Sequence, residues 1–163
     1  MGSERLDTAV VDAGPIIHLG KVDSLSLLSI FNRLVIPEAV VEEVSAGGIP
    51  ESLNELKYDV VEGGEEEEYS GLDRGEAVAL SVVGSMDKEV VFLTDDLEAR
   101  EQAKELGFEV HGSVGVIVAG FREDEVGLDD ATSKIRALSD ETEMFISDAV
   151  VEQGIKMLEE LAE

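Results

Sequence analysis

The chain contains no cysteine, which excludes a disulfide framework and thiolate metal sites and suits a reducing compartment. No apolar run approaches the roughly 20 residues that span a bilayer, and Met1-Gly2-Ser3-Glu4-Arg5 lacks the apolar core of a signal peptide. A soluble, cytoplasmic protein with no membrane partner is therefore expected. Neither an internal repeat nor a low-complexity linker interrupts the 163 residues, a length suited to one domain around one core. Positive charge is also scarce. Lys and Arg number 12 against 38 Asp and Glu, a formal net charge of −26, yet hydrophobic residues make up 44% and argue for a globular chain over a disordered acidic one.

The acidic excess is spread along the chain, and its densest run, Glu65–Glu68, reads as a solvated loop. Such a surface repels both itself and nucleic acid in dilute buffer. At molar salt the Debye length shrinks to about 3 Å and both repulsions are screened. The composition thus resembles that of proteins from extreme halophiles. An acidic patch for partner proteins is the rival explanation.

Short apolar runs alternate with amphipathic stretches, the pattern of a parallel sheet flanked by helices. Thr8–Val11 reads as a central strand ending at Asp12, with Pro15 opening a helix through Ile16, Ile17 and Leu19. Ser24 is expected to cap an apolar stretch from Leu25 to Phe31. Leu34–Ile36 reads as a strand stopped by Pro37, and Glu38–Ser45 as the helix after it. A short helix near Ser52–Leu56, a strand at Tyr58–Val61 and an acidic loop follow. After Asp73, Ala77, Leu80, Ser81 and Gly84 suggest a small-residue helix face. Glu89–Leu93 is the clearest buried strand and runs into Thr94-Asp95-Asp96. A helix through Leu97, Ala99, Ala103 and Leu106 ends at Gly107. A last strand, Phe108–Val110, precedes a helix at Val114–Phe121. Helices near Ala131–Leu138 and Ser147–Leu161 complete the chain.

Ligands of open parallel sheets gather outside the carboxyl ends of the strands. Asp12 and Asp95-Asp96 sit at such ends, Glu42-Glu43 lie on the helix after Pro37, and Glu76 opens the helix after the acidic loop. Several oxygen ligands converging on a hard divalent ion would suit phosphodiester hydrolysis, because the ion polarises phosphate and acidifies a bound water.

Local words sharpen this. Val10-Val11-Asp12-Ala13-Gly14-Pro15-Ile16-Ile17 resembles the opening strand and turn of PIN domains. Val35-Ile36-Pro37-Glu38-Ala39-Val40-Val41-Glu42-Glu43-Val44 resembles the segment carrying that family's second acid, and Gly75-Glu76-Ala77-Val78-Ala79-Leu80 the third. Leu93-Thr94-Asp95-Asp96-Leu97-Glu98-Ala99-Arg100 resembles the fourth, and Gly112-Ser113-Val114-Gly115-Val116-Ile117 the turn after the last strand. In this order the words cover about residues 7–120. They are most similar to the DUF3368 subgroup, related to VapC-type toxins. The looser remainder, about residues 121–163, reads as a helical extension of a single domain spanning residues 1–163.

The resemblance implies an α/β three-layer sandwich, a central parallel sheet with helices on both faces. It further implies an endoribonuclease using Mg²⁺ or Mn²⁺, with Asp12, Glu43 and Glu76 as catalytic, metal-binding acids and Asp95 or Asp96 as the fourth. An RNA substrate, a homodimer and, for the toxin of a toxin–antitoxin pair, a small antitoxin are implied as partners. An RNA-processing nuclease outside such a pair and a non-cutting scaffold that binds RNA or protein are the alternatives. A receiver-like domain is disfavoured, because no mid-chain phosphoacceptor Asp is matched by a Lys on the last strand. Many PIN domains carry Ser or Thr two residues after the first acid, where this chain has Gly14. Among the neighbours, Glu42 reads as a solvated helix residue facing away from the site. Thr94 reads as a helix cap or as support for the metal ligands, and Arg100 as a partner for nearby carboxylates. His18 and His111 receive no role.

The charge balance alone makes a testable statement. The thermal unfolding midpoint should rise as KCl increases from millimolar to molar, because screening relieves like-charge repulsion. A midpoint flat across that range would remove the halophile reading.

Overall fold

A computed structural model describes residues 8–48, 51–62, 71–86, 89–141 and 146–163. The acidic loop expected around Glu65–Glu68 lies outside them. Five strands, β1 (Thr8–Val11), β2 (Arg33–Pro37), β3 (Asp59–Val61), β4 (Val90–Leu93) and β5 (Glu109–His111), form one sheet in the order β3-β2-β1-β4-β5. All neighbours are parallel, with Val10 opposite both Val35 and Phe92. The central strands β1 and β4 are wholly buried, as strands covered on both faces must be, and so they read as unbroken apolar runs. The edge strands β3 and β5 are short and carry exposed Asp59 and Glu109. Short, charged edges discourage pairing with a foreign strand.

Helices α1 (Ala13–Lys21), α2 (Glu38–Ala46), α3 (Arg74–Ser85), α4 (Leu97–Glu105) and α5 (Ser113–Arg122) connect or follow the strands, and α6 (Leu128–Glu141) and α7 (Asp148–Ala162) end the chain. Helix α3 packs against β1, β2 and β4, whereas α6 and α7 pack on each other and on α5. The result is the three-layer α/β sandwich expected. Among the described residues, no helix is long and apolar enough to cross a membrane.

Most elements lie where the sequence pattern put them, and the departures have local causes. Leu25–Ile30 is a 3-10 helix whose preceding Ser24 does not cap it. The Ser24 hydroxyl instead donates to the Val22 carbonyl, 2.8 Å away, and closes the turn after α1. Helix α3 is buried nearly all round, through Ala77, Val78, Ala79, Leu80, Val82 and Val83, while Gly84 is exposed. Strand β5 begins one residue later than expected, because Phe108 N–H is taken by the Ala103 carbonyl at the end of α4. There Gly107, at φ +86°, makes the left-handed turn that glycine tolerates best.

The C-terminal helices bury Ile135, Leu138 and Leu158 in the same apolar cluster as Val10 and Phe92. We therefore expect the extension to unfold with the sheet as one domain. Leu158→Ala should cost about 2–5 kcal/mol and leave a single transition in circular dichroism. Two transitions, with only the first shifted, would mean that the extension is a separate unit.

Candidate active site

The strand order reverses direction between β1 and β4, so a crevice opens where their carboxyl ends diverge. Asp12 follows β1 immediately, and its N–H still donates to Leu93 O of β4 at 2.9 Å. One carboxylate oxygen of Asp12 accepts from the Ala13 N–H at the start of α1, and the other accepts from the Thr94 hydroxyl, both at 2.8 Å. The Thr94 oxygen in turn accepts from the Asp96 N–H at 3.2 Å. Thr94 therefore joins the acid after β1 to the acid pair after β4. Asp12 is 3% exposed. Its carboxyl is pushed up to about 7, chiefly by burial and further by the charges of Asp73 and Glu43, against the lowering effect of the two hydrogen bonds.

Glu76 is fixed by a reciprocal cap. The Glu76 N–H donates to Asp73 Oδ1 at 2.8 Å while the Asp73 N–H donates to Glu76 Oε1 at 3.1 Å. Burial pushes the Glu76 carboxyl up to about 8, and the charges of Asp12, Asp73 and Asp96 act in the same direction. Glu43, on α2, is open to solvent on one side but reaches across to α3. A Cβ at Gly75 would stand 2.5 Å from Glu43 Oε1, so only glycine admits that approach. Burial and the charge of Asp73 raise the Glu43 carboxyl as well. A cleft of about 430 Å³ lies here, lined by Ala39, Glu42, Glu43, Asp73, Arg74 and Gly75. Glu42 is exposed, with the Arg74 guanidinium 3.4 Å away.

The adjacent acids Asp95 and Asp96 are separated by what holds them. Asp95 Oδ1 accepts the Ser113 N–H at 2.6 Å, and Oδ2 accepts the Ser113 hydroxyl at 2.5 Å and lies 2.8 Å from His18 Nδ1. The Asp95 side chain is 4% exposed and ties the end of β4 to α1 and α5. Gly112 is required for this clasp, since a Cβ there would stand 2.6 Å from Asp95 Oδ1. Asp96 caps α4 by accepting the Ala99 N–H at 2.9 Å, and its charge reaches Glu76. The crevice thus gathers Asp12, Glu43, Glu76 and Asp96 with Asp73, while Asp95 is committed to the clasp.

Sequence reasoning passed over Asp73 and gave His18 no role. The Asp-x-x-Glu spacing of Asp73 and Glu76 is a capping-box signal that could have marked the first. No local pattern marks the second, whose partner lies 77 positions away. His111, also given no role, has Nε2 3.0 Å from Glu109 Oε2 on the exposed edge strand.

Among the described residues, no three Asp, Glu or His side chains converge closely enough to form a ready-made metal cage. The donor set nevertheless fits a hard divalent ion. It is all oxygen, burial and neighbouring negative charges raise the proton affinity of Asp12, Glu43 and Glu76, and a cation would offset those charges. Asp12, Glu43, Glu76 and Asp96 are the residues that would hold it.

A family model described as a PIN domain, DUF3368, matches residues 8–160. Among solved structures, a PilT N-terminus domain protein from the hyperthermophilic archaeon Sulfolobus solfataricus P2 is similar, with a TM-score of 0.58. The alignment covers 69% of this chain and 92% of that one at 18% identity, a likeness of fold. No curated protein matches the sequence.

The electrostatics of the crevice set a pH dependence with a definite sign. Asp12 and Glu76 have folded pKa values raised above their ordinary 3.8 and 4.5, so between these limits the folded chain binds more protons than the unfolded one. Stability of the metal-free protein should therefore fall as pH rises from about 4 to about 8. Asp12→Asn should flatten that slope in thermal melts at fixed molar KCl. An Asn variant with the parental slope would place the raised proton affinity elsewhere.

Proposed function

The chain belongs to the PIN-domain family DUF3368, whose fold is generally that of nucleases, and from that premise we propose that it is a metal-dependent endoribonuclease. The observation that carries the reading is the set of mutually repelling carboxylates, Asp12, Glu43, Glu76 and Asp96, at the switch point of the sheet. When bound, Mg²⁺ or Mn²⁺ supplies Lewis-acid polarisation of the phosphate and a water acidic enough to attack. Water adds to phosphorus in line and the P–O3′ bond breaks, leaving a 3′-hydroxyl and a 5′-phosphate.

The protein's part is to present oxygens in fixed positions. The Ala13 N–H and Thr94 hydroxyl hold both Asp12 oxygens, and the Asp73 cap fixes Glu76. Groups held before the ion arrives need not be ordered by it. The acidic surface opposes RNA approach in dilute buffer, and molar salt removes that barrier. The finer reading is a cytoplasmic homodimer of the VapC toxin type, restrained by a small antitoxin where it belongs to such a pair.

Cleavage of total RNA should require Mg²⁺ or Mn²⁺, stop with EDTA and persist at molar KCl. Asp12→Asn and Glu76→Gln should reduce it to background with the fold intact by circular dichroism. Thr94→Val should weaken Mn²⁺ binding or activity about 10–100-fold, and Glu42→Gln should behave as the parent. A parent that cuts nothing, or Asp12 and Glu76 variants as active as the parent, would transfer the chain to a binding role.

A further inference from the structure

Arginines in a chain this acidic rarely lack a carboxylate. Arg33, Arg74, Arg122 and Arg136 each stand within ion-pair distance of one. Of the described arginines, Arg100 alone has no ion-pair or hydrogen-bond partner for its side chain among the described residues. Lys104, one turn further along α4 and so on the same face, has none either. Arg100 is half-buried, and its guanidinium would lie 3.2 Å from a Cβ at Gly112, at the start of α5. The nearby Asp95 carboxylate makes no ion pair with it and is held instead by Ser113 and His18.

Arg100 borders a cavity of about 220 Å³ between the start of α5 and α7, lined also by His111, Gly115, Val118, Gln153 and Met157. Asp95, one residue from Asp96 of the acidic crevice, also lines it. The volume is below the roughly 300–1,000 Å³ of pockets for drug-sized ligands and suits a single planar ring system. Its walls are largely apolar. Met157 and Val150, which also line it, are 42% and 46% exposed. The missing side chain at Gly154 matters here, since a Cβ would stand 2.8 Å from Val114 Cγ1 on α5.

We propose that this slot binds one unstacked nucleotide of the RNA substrate, its base between α5 and α7 and its phosphate on Arg100. The inference rests on the ribonuclease reading and names where that substrate is gripped. A base offers apolar faces to Val118 and Met157, whose sulfur packs well on an aromatic ring, and a polar edge to the Gln153 amide, which both donates and accepts. The guanidinium is the side chain best shaped for a phosphate, and Lys104 continues the positive stripe along α4. Single strands are commonly recognised by this combination of base burial and backbone charge. On a surface of net charge −26, an unpaired arginine is where a phosphate finds attraction.

The test is binding of a fluorescein-labelled, mixed-sequence single-stranded RNA in EDTA and molar KCl, followed by anisotropy without cleavage. Arg100→Met keeps the aliphatic stem and should raise Kd about 10–100-fold, and Gln153→Ala about 3–10-fold. Arg136→Met, which removes the same charge from a paired arginine, should leave Kd unchanged. In a companion RNA containing 2-aminopurine, emission should rise on binding to the parent as the base leaves its stack. Tight binding by Arg100→Met, equal losses for Arg100→Met and Arg136→Met, or no RNA binding by the parent would overturn the slot. Cleavage is scored separately. A parent that binds through Arg100 but cuts nothing keeps the slot and loses the nuclease, whereas one that cuts with Arg100→Met binding as the parent does keeps the nuclease and loses the slot.

Discussion

At the end of β1 the Asp12 carboxylate is held between the Ala13 N–H and the Thr94 hydroxyl, in a position almost closed to water. The groups that favour its charge are those two donors, while the charges acting on it, Asp73 and Glu43, share its sign. A buried carboxylate in that setting is costly, and the cost is concentrated where the sheet has its only reversal of strand order. The rest of the crevice is arranged around the same strain. Thr94 transmits the position of Asp12 to Asp96, the Asp73 cap fixes Glu76, and Gly75 lets Glu43 lean in from α2. A site so arranged is short of positive charge, which a divalent cation would supply.

The central strands and connecting helices were legible because their signals are local. β1 and β4 are continuous apolar runs, Pro37 marks the end of β2, and Gly107 marks the end of α4. Family words carried the acids further than spacing could, since 38 carboxylates make coincidence easy. What stayed hidden depends on contacts between distant segments. Nothing near Asp95 in the sequence announces His18 or Ser113, and nothing near Arg100 reveals that it forms no ion pair among the described residues. Ser24 shows the opposite case, in which a local cap signal was present and the turn used the hydroxyl otherwise.

The two neighbouring acids show how a single residue step divides labour. In the turn after β4, Asp95 is held by His18 of α1 and Ser113 of α5, whereas Asp96 caps α4 and its charge acts on Glu76. Gly14 belongs to the same arrangement. A Cβ there would stand in ordinary contact with Asp95 Cβ, at 3.5 Å, and hydroxyls reach the acids from Thr94 and Ser113.

The parallel order of the sheet also governs when the site can exist during synthesis. β1 is made first but lies in the middle, and Thr94, which grips Asp12, is 82 positions later in the chain. Until β4 has left the ribosome, Asp12 has neither its second neighbouring strand nor its hydroxyl partner, and Asp96 has not been joined to it. The carboxylates of the crevice therefore assemble late, after most of the polypeptide has emerged. The four acids that would hold a metal are thus not all available until Asp96, residue 96 of 163, has emerged.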